Sequence, residues 1–193
     1  MVGTQKSPDN PNRMDEPWSE GYSGKKIDEV NNNIRSTWGR LSSRPNIIVT
    51  LVGTNDNNPG LSAGEISEAK NRFAPLLDTY RSLCKDCVIV VSSLPPNKDT
   101  RWNNNINSFN QGIRAMVEKR QKAGEHILFS DGNSGISAGS DLNADGIHPT
   151  DHGYAIIGER IADVIKDAGS RGWIANTSSK RDEVARVAMP FVA

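Results

Sequence analysis

Two kinds of apolar pattern alternate along the chain. Three short runs are almost continuously apolar and β-branched, which is typical of strands buried on both faces of a parallel sheet. Longer stretches place apolar residues at steps of three and four, which is typical of amphipathic helices. The predicted strands are 46–52, 88–94 and 126–129, and the predicted helices are 27–41, 62–83, 103–123 and 151–168.

This alternation predicts a three-layer α/β/α sandwich built on a parallel sheet. Ligands of such sheets bind at the carboxyl ends of the strands. The loops richest in glycine and polar residues, 53–60 and 131–150, each follow a predicted strand, so we expect the functional residues along that edge. Residues 1–169 are interpreted as one domain, and residues 170–193 as a C-terminal extension or linker.

Composition narrows the classes of partner. Lys plus Arg and Asp plus Glu number 23 each among the 193 residues, and the basic residues are scattered, so we expect no nucleic-acid partner. No apolar run reaches the length of about 18 residues that would indicate a membrane span. The first six residues contain no apolar core of a signal peptide, which leaves the localisation of these 193 residues open.

The two cysteines, Cys84 and Cys87, form a C-x-x-C pair between a predicted helix and a predicted strand. A redox site needs a thiolate exposed at the N-terminus of a helix, which disfavours that role here. No second pair with metal-ligand spacing accompanies them, so we expect no zinc or other metal site. A local disulfide stays open.

Asp145 and His148 lie in a short loop, Asp-Gly-Ile-His-Pro-Thr, directly before the last predicted helix. Hydrolysis of an ester by a hydroxyl nucleophile needs an imidazole that takes up and returns a proton, and a carboxylate that orients the imidazole. A separation of three residues lets the two side chains meet. Taken alone, the pattern is equally typical of an ordinary surface loop.

Two further motifs could supply hydrogen-bond donors to an oxyanion. Asn55, within Gly-Thr-Asn-Asp, follows the first predicted strand, and its side-chain amide is a donor. Gly24, within Glu-Gly-Tyr-Ser-Gly, precedes the first predicted helix and leaves its backbone N–H uncovered. Each motif alone is also typical of a turn.

Together, the order and spacing of these motifs resemble the GDSL/SGNH-type serine esterase family. Gly24 matches its second block, Asn55 its third, and Asp145 with His148 its fifth, over residues 1–169. The resemblance implies a flavodoxin-like sheet and hydrolysis of carboxylic esters: acetylated carbohydrates, lysophospholipids or small acyl esters. It also implies that His148 is the base, Asp145 its orienting partner, and Gly24 and Asn55 the oxyanion donors, without a cofactor.

The family's Gly-Asp-Ser block, which holds the nucleophile, does not occur in the sequence. Ser23 does not match the position of the nucleophile, and neither does Ser130 in Ser-Asp-Gly. Residues 1–4 are interpreted as the end of the family's second strand, so we expect that the first strand is missing. We therefore expect a truncated, inactive or very weak hydrolase whose full-length form is secreted. The alternative is a non-catalytic ligand-binding module.

Two other residues have open roles. His152 lies four residues after His148, a spacing that two zinc ligands could share, but no third ligand is evident. Trp102 follows the second predicted strand and either lines a substrate rim or packs within the fold.

Overall fold

A parallel sheet lies at the centre of the fold. The computed structural model describes residues 3–6, 18–174 and 187–188. The described strands are β1 Gln5–Lys6, β2 Trp18–Ser19, β3 Ile47–Thr50, β4 Val88–Ser92, β5 Ile127–Ser130 and β6 Val187–Ala188. Four of them form the central sheet in the order β5-β4-β3-β6, and all three pairings are parallel.

Helices cover the two faces of this sheet. They are α1 Ile27–Thr37, α2 Ala63–Ser67, α3 Ala69–Leu83, α4 Thr100–Lys122 and α5 Asp151–Ser170, with 3₁₀ turns at Trp38–Arg40 and Asn55–Asn57. Right-handed crossovers place α3 and α4 on one face, where α1 packs beside α3. Helix α5 packs against β4 and β5. The predicted three-layer α/β/α fold is confirmed.

Every residue of β3 and β4 is buried, because both faces of the sheet are covered. Beneath the helices, the rings of Phe73 in α3 and Phe109 in α4 meet edge to face with centroids 5.9 Å apart. The central strands therefore provide a rigid base, and the loops at their carboxyl ends have fixed starting points.

Three helices differ from the prediction. The helix expected over 27–41 ends at Thr37 and is followed by the 3₁₀ turn Trp38–Arg40. The helix expected over 62–83 is divided at Glu68 into α2 and α3, and Ser62 caps α2 by accepting from the backbone N–H of Glu65. Helix α4 begins at Thr100 rather than at residue 103. The side chain of Asp99 accepts hydrogen bonds from the backbone N–H groups of Arg101 and Trp102, at 2.9 and 3.0 Å, and so starts the helix earlier.

The two ends of the chain also differ from expectation. Strand β1 pairs antiparallel with β2, and the two form a separate two-stranded ribbon. The described residues 3–6 are therefore not part of the central sheet. Residues 1–2 and 7–17 lie outside the described residues. Strand β6, from the predicted extension, pairs with β3, while residues 175–186 and 189–193 are outside the described part. The domain boundary at residue 169 stays a prediction.

Cys84 and Cys87 are joined by a disulfide bond directly before β4. The bond decides among the alternatives that the sequence left open for this pair. None of the helices in the described part of the chain is long and apolar enough to cross a membrane.

Candidate active site

The loop between β5 and α5 brings Asp145 and His148 together. Oδ2 of Asp145 lies 2.7 Å from Nδ1 of His148. The other carboxylate oxygen, Oδ1, accepts from the backbone N–H groups of Ile147 and His148, at 2.8 and 3.0 Å. The backbone hydrogen bond from Ile147, followed by the bonds from His148, lowers the pKa of Asp145 to about 2. Asp145 is therefore ionised across the neutral and mildly acidic range.

Backbone geometry fixes this loop in place. The N–H of Asn143 donates to the carbonyl of His148 at 2.8 Å, and its side chain donates to the carbonyl of Pro149 at 3.0 Å. Gly146 adopts a φ of 74°, and a Cβ there would lie only 2.8 Å from the Cβ of Lys98. Only glycine fits that position, so the tight turn between Asp145 and His148 depends on it.

The hydrogen bond to Asp145 also sets the tautomer of His148. An ionised carboxylate is only an acceptor, so Nδ1 donates and Nε2 of the neutral ring is left as an acceptor. Nε2 has no hydrogen-bond partner within the described residues, and 41% of the side chain is exposed. The imidazole can therefore take a proton from a hydroxyl that approaches from solvent.

Gly24 and Asn55 form a second linked pair. Gly24 has a φ of 73°, is exposed, and its backbone N–H has no acceptor within the part of the chain that the structure describes. Nδ2 of Asn55 donates to the carbonyl of Lys25 at 3.2 Å. One amide hydrogen thereby holds the turn after Gly24, and the other has no acceptor among the described residues. Two free donors thus occur on adjoining segments.

The loop after β4 and the first turn of α4 connect the two pairs. Nε1 of Trp102 donates to the carbonyl of Thr54 at 3.2 Å, next to Asn55. On the other side, the N–H of Lys98 donates to the carbonyl of Gly146 at 2.9 Å. No hydrogen bond joins the pairs directly within residues 3–6, 18–174 and 187–188. Because β3, β4 and β5 are neighbours, Asn55, Asp145 and His148 lie in loops at the same edge of the sheet, and the hydrogen bond from Asn55 to Lys25 brings the segment of Gly24 to Asn55.

Sequence reasoning missed Lys98 and Asp56. The N–H of Lys98 and its Nζ donate to carbonyls of the Asp145 loop, at 2.9 and 3.2 Å. Nothing in the sequence pattern indicated this contact, because the two loops follow different strands. Asp56 is the last residue of the motif Gly-Thr-Asn-Asp, but the motif did not predict that it is buried or which groups it contacts.

The remaining candidate residues have other partners. His152 faces Asp141, with Nδ1 and Oδ1 3.0 Å apart. Trp102 is partly buried, and its indole N–H is used within the fold. The hydroxyl of Ser130 is fully buried and has no hydrogen-bond partner in the described part of the chain, so it is not accessible as a nucleophile. The described residues contain no group of three His, Cys, Asp or Glu that could hold a metal ion.

The family model described as GDSL-like Lipase/Acylhydrolase matches residues 4–161, and the chain therefore belongs to this family. No curated protein matches the chain.

Solved structures support the fold. A family 3 carbohydrate esterase from Clostridium thermocellum is 22% identical, with a TM-score of 0.73 over 90% of this chain and 80% of that one. One from Talaromyces cellulolyticus is 23% identical, with a TM-score of 0.73 over 88% and 82%. A mutant acetyl esterase crystallised with an acetate ion is 24% identical, with a TM-score of 0.71 over 86% and 82%.

Proposed function

We propose that these residues supply the acid–base pair and oxyanion donors of a carboxylic ester hydrolase that acts on acetylated carbohydrates. One observation carries the proposal: the ionised Asp145 holds His148 at 2.7 Å in a loop that Lys98 and Trp102 connect to the segment of Asn55. Membership of the GDSL-like lipase and acylhydrolase family supports the same reaction class.

In the proposed reaction, Nε2 of His148 takes the proton of a hydroxyl that attacks the ester carbonyl. The N–H of Gly24 and the side-chain amide of Asn55 donate to the oxyanion of the tetrahedral intermediate. His148 then returns the proton to the alcohol as that group leaves. Asp145 keeps the imidazole in the required tautomer throughout.

The attacking hydroxyl has no identified source among the 193 residues, because the Gly-Asp-Ser block does not occur in them. Ser130 is buried, and Ser23 does not match the position of the nucleophile. The route that remains for these residues alone is activation of a water molecule by His148. We therefore expect slow hydrolysis from this chain.

The surroundings of the site favour a small acyl group on a polar alcohol. Asp145 and His148 are 45% and 41% exposed, so the site is open. Among the described residues, Tyr154 is the only large apolar side chain that is exposed, which leaves little surface for a long acyl chain. Two of the similar solved structures are carbohydrate esterases, and a third is an acetyl esterase.

The test is an assay of acetate release from acetylated xylo-oligosaccharides and from 4-nitrophenyl acetate, compared with release from a long-chain 4-nitrophenyl ester. We expect slow turnover of the acetyl esters only. His148→Gln should reduce it about 100-fold or more, the usual contribution of general acid–base catalysis. Asn55→Ala should reduce it by about 100-fold, as for the loss of one oxyanion donor.

His152→Gln is the matched control, since His152 also faces an aspartate but lies outside the proposed site. Its turnover should equal that of the unchanged protein. Turnover that survives His148→Gln would contradict the proposal. Fast turnover that His148→Gln abolishes would show that another residue of this chain supplies the hydroxyl.

A non-catalytic ligand-binding module is the second candidate, favoured by the combination of free oxyanion donors with no Gly-Asp-Ser block. Mapping the 5′ end of the transcript separates the two. Codons for Gly-Asp-Ser in frame upstream of Met1 would favour the hydrolase. Their absence, together with calorimetric binding of acetylated sugars without turnover, would favour the binding module.

A further inference from the structure

Asp56 directly follows Asn55 and is completely buried. Its Oδ2 accepts a hydrogen bond from the backbone N–H of Ile27 at 3.0 Å. Its Oδ1 accepts from Nε and Nη2 of Arg72, at 3.1 and 2.9 Å. The two oxygens of one carboxylate therefore connect the loop after β3 to the start of α1 and to α3.

The bond to Ile27 completes the cap of α1, in which the Glu29 side chain already accepts from the backbone N–H of Lys26 at 2.9 Å. The first N–H groups of a helix have no acceptor within the helix and need one from elsewhere. Lys26 precedes α1, and its side chain has no acceptor atom to offer. The acceptor instead comes from Asp56, 29 residues along the chain. The start of α1 is thereby fixed to the loop that contains Asn55.

A second hydrogen bond runs beside the first. Nδ2 of Asn55 donates to the carbonyl of Lys25 at 3.2 Å, two residues before Ile27. The two bonds, Ile27 to Asp56 and Asn55 to Lys25, join the same two segments; we call them the 25–27/55–56 clamp. Gly24 directly precedes one segment, and Asn55 is part of the other. The clamp therefore sets the separation of the two proposed oxyanion donors.

The charge of Asp56 needs compensation at this place. A carboxylate beside an oxyanion site would repel the developing negative charge. Nε and Nη2 of Arg72 both donate to Oδ1 and so pair with this charge, and the Arg72 side chain is 21% exposed. Nη2 of Arg72 also donates to the carbonyl of Glu65 at 3.0 Å, which holds the guanidinium in position. The ion pair has little net charge, and the carboxylate of Asp56 joins the loop after β3 to the start of α1.

We infer that Asp56, with Arg72 as its counter-ion, is a positioning residue that aligns the backbone N–H of Gly24 with the side-chain amide of Asn55. The inference rests on the proposed function, because alignment matters only where both donors serve one oxyanion. Asp56 itself contacts neither substrate nor reacting atoms.

A merely structural role for Asp56 predicts a different pattern of effects. Loss of a buried ion pair would then lower the free energy of unfolding and leave the clamp intact in the folded molecules. A positioning role predicts that the clamp loosens while the rest of the chain stays folded. The experiment must therefore report on Asn55 and Gly24 directly and not only on stability.

Three variants and a matched control separate these roles. Asp56→Asn keeps the shape and removes the charge, Arg72→Met removes the counter-ion, and Arg72→Lys keeps the charge but not the two neighbouring N–H donors. Arg120→Met is the control, because the Arg120 side chain is about as buried as that of Arg72, 17% against 21% exposed, and pairs with other carboxylates, those of Asp78 at 2.7 Å and Glu125 at 2.9 Å.

The measurements are NMR hydrogen exchange of the Ile27 amide and the Asn55 side-chain amide, and a titration with acetate followed at Gly24 and Asn55. We expect Asp56→Asn and Arg72→Met to speed both exchange rates at least tenfold and to abolish the acetate response. Arg72→Lys should speed them about threefold. Arg120→Met should lower the melting temperature and leave the exchange rates and the acetate response unchanged.

Unchanged exchange at Asn55 in folded Asp56→Asn would overturn the inference. If that variant does not fold, Arg72→Lys decides, and exchange at Asn55 equal to that of the unchanged protein would overturn it as well. A clamp that loosens as expected in a protein whose Gly24 and Asn55 never respond to acetate would show that Asp56 holds the two segments together, but it would contradict the proposed function and with it the alignment of oxyanion donors.

Discussion

The two edges of the central sheet use polar groups in opposite ways. At the amino-terminal edge, Arg81 donates to the backbone carbonyls of Lys85, Cys87 and His126, at 2.7, 2.9 and 3.2 Å. The ring of His126 stacks on Trp173, with centroids 4.6 Å apart. The polar groups of this edge are used to hold the chain together.

At the carboxyl edge, His148 and Asn55 each leave a hydrogen-bonding atom without a partner among the described residues. His148 binds Asp145 through Nδ1 and leaves Nε2 without a partner among the described residues, and Asn55 uses one of its two amide hydrogens. His126 and His148 are thus the same residue type in contrasting settings. The difference teaches that the carboxylate partner of His148, which fixes the tautomer of its ring, distinguishes the candidate site from the structural edge more than the residue type does.

The largest expected effect on stability is that of Arg81→Met. The change removes three hydrogen bonds from a charged donor and leaves carbonyl groups without partners, so we expect a loss of about 3 kcal/mol in the free energy of unfolding. Thermal melting should fall by roughly 6–12 °C. The NMR response of Gly24 and Asn55 to acetate should not change. Loss of that response would show that Arg81, at the amino-terminal edge, also affects the candidate site.

Loss of the disulfide should have the next largest effect. Cys84 and Cys87 close a loop with a sequence separation of three, for which the chain-entropy model gives about 2 kcal/mol. The double variant Cys84→Ser with Cys87→Ser should melt roughly 4–8 °C lower. Reductant should lower the melting temperature of the unchanged protein by a similar amount and should not affect the double variant. Equal melting with and without reductant in both proteins would contradict the prediction.

His148→Gln should scarcely affect stability, by no more than about 0.5 kcal/mol, as is usual for surface substitutions. The side chain is 41% exposed, and its side-chain partner Asp145 keeps the hydrogen bond from the backbone N–H of Ile147. Ester turnover should nevertheless be lost. Urea unfolding and the esterase assay, measured on the same variant, check both statements. A fall in stability as large as that of Arg81→Met would show that His148 has a structural role like that of Arg81.

The smallest expected effect is a difference in titration between two aspartates of the carboxyl edge. The pKa of Asp145 is lowered from 3.8 to about 2, so its contribution to stability is complete above pH 3.8 and is lost as the pH falls through about 2. Burial raises the pKa of Asp56 above 3.8, so the folded state binds more protons there, and stability falls as the pH rises from 3.8 through that pKa.

Carboxyl ¹³C NMR from pH 1.5 to 7 measures both titrations. In His148→Gln the pKa of Asp145 should rise only part of the way, because the backbone hydrogen bond from Ile147 is the largest cause of its shift. A midpoint for Asp145 at or above that of Asp56 would contradict the prediction.

Local patterns predicted the elements of the fold well. The runs of β-branched residues located β3, β4 and β5 to within two residues at each end, and the periodic stretches located the helices. The start of α4 was missed because the cap at Asp99 lies outside the apolar pattern. The bond between Asp145 and His148 was predictable, since residues three apart in a tight turn meet without help from the rest of the chain. The catalytic roles of these two residues stay predictions.

The sequence by itself determined the alternation of strands and helices, the order of the motifs and the local turn of Asp145 and His148, because each depends on residues close along the chain. Only the tertiary structure decided that Asp56 caps α1, that Lys98 supports the Asp145 loop and that His126 stacks on Trp173. These contacts join segments far apart in sequence, and they exist because the packing of strands and helices brings the ends of different elements together at each edge of the sheet.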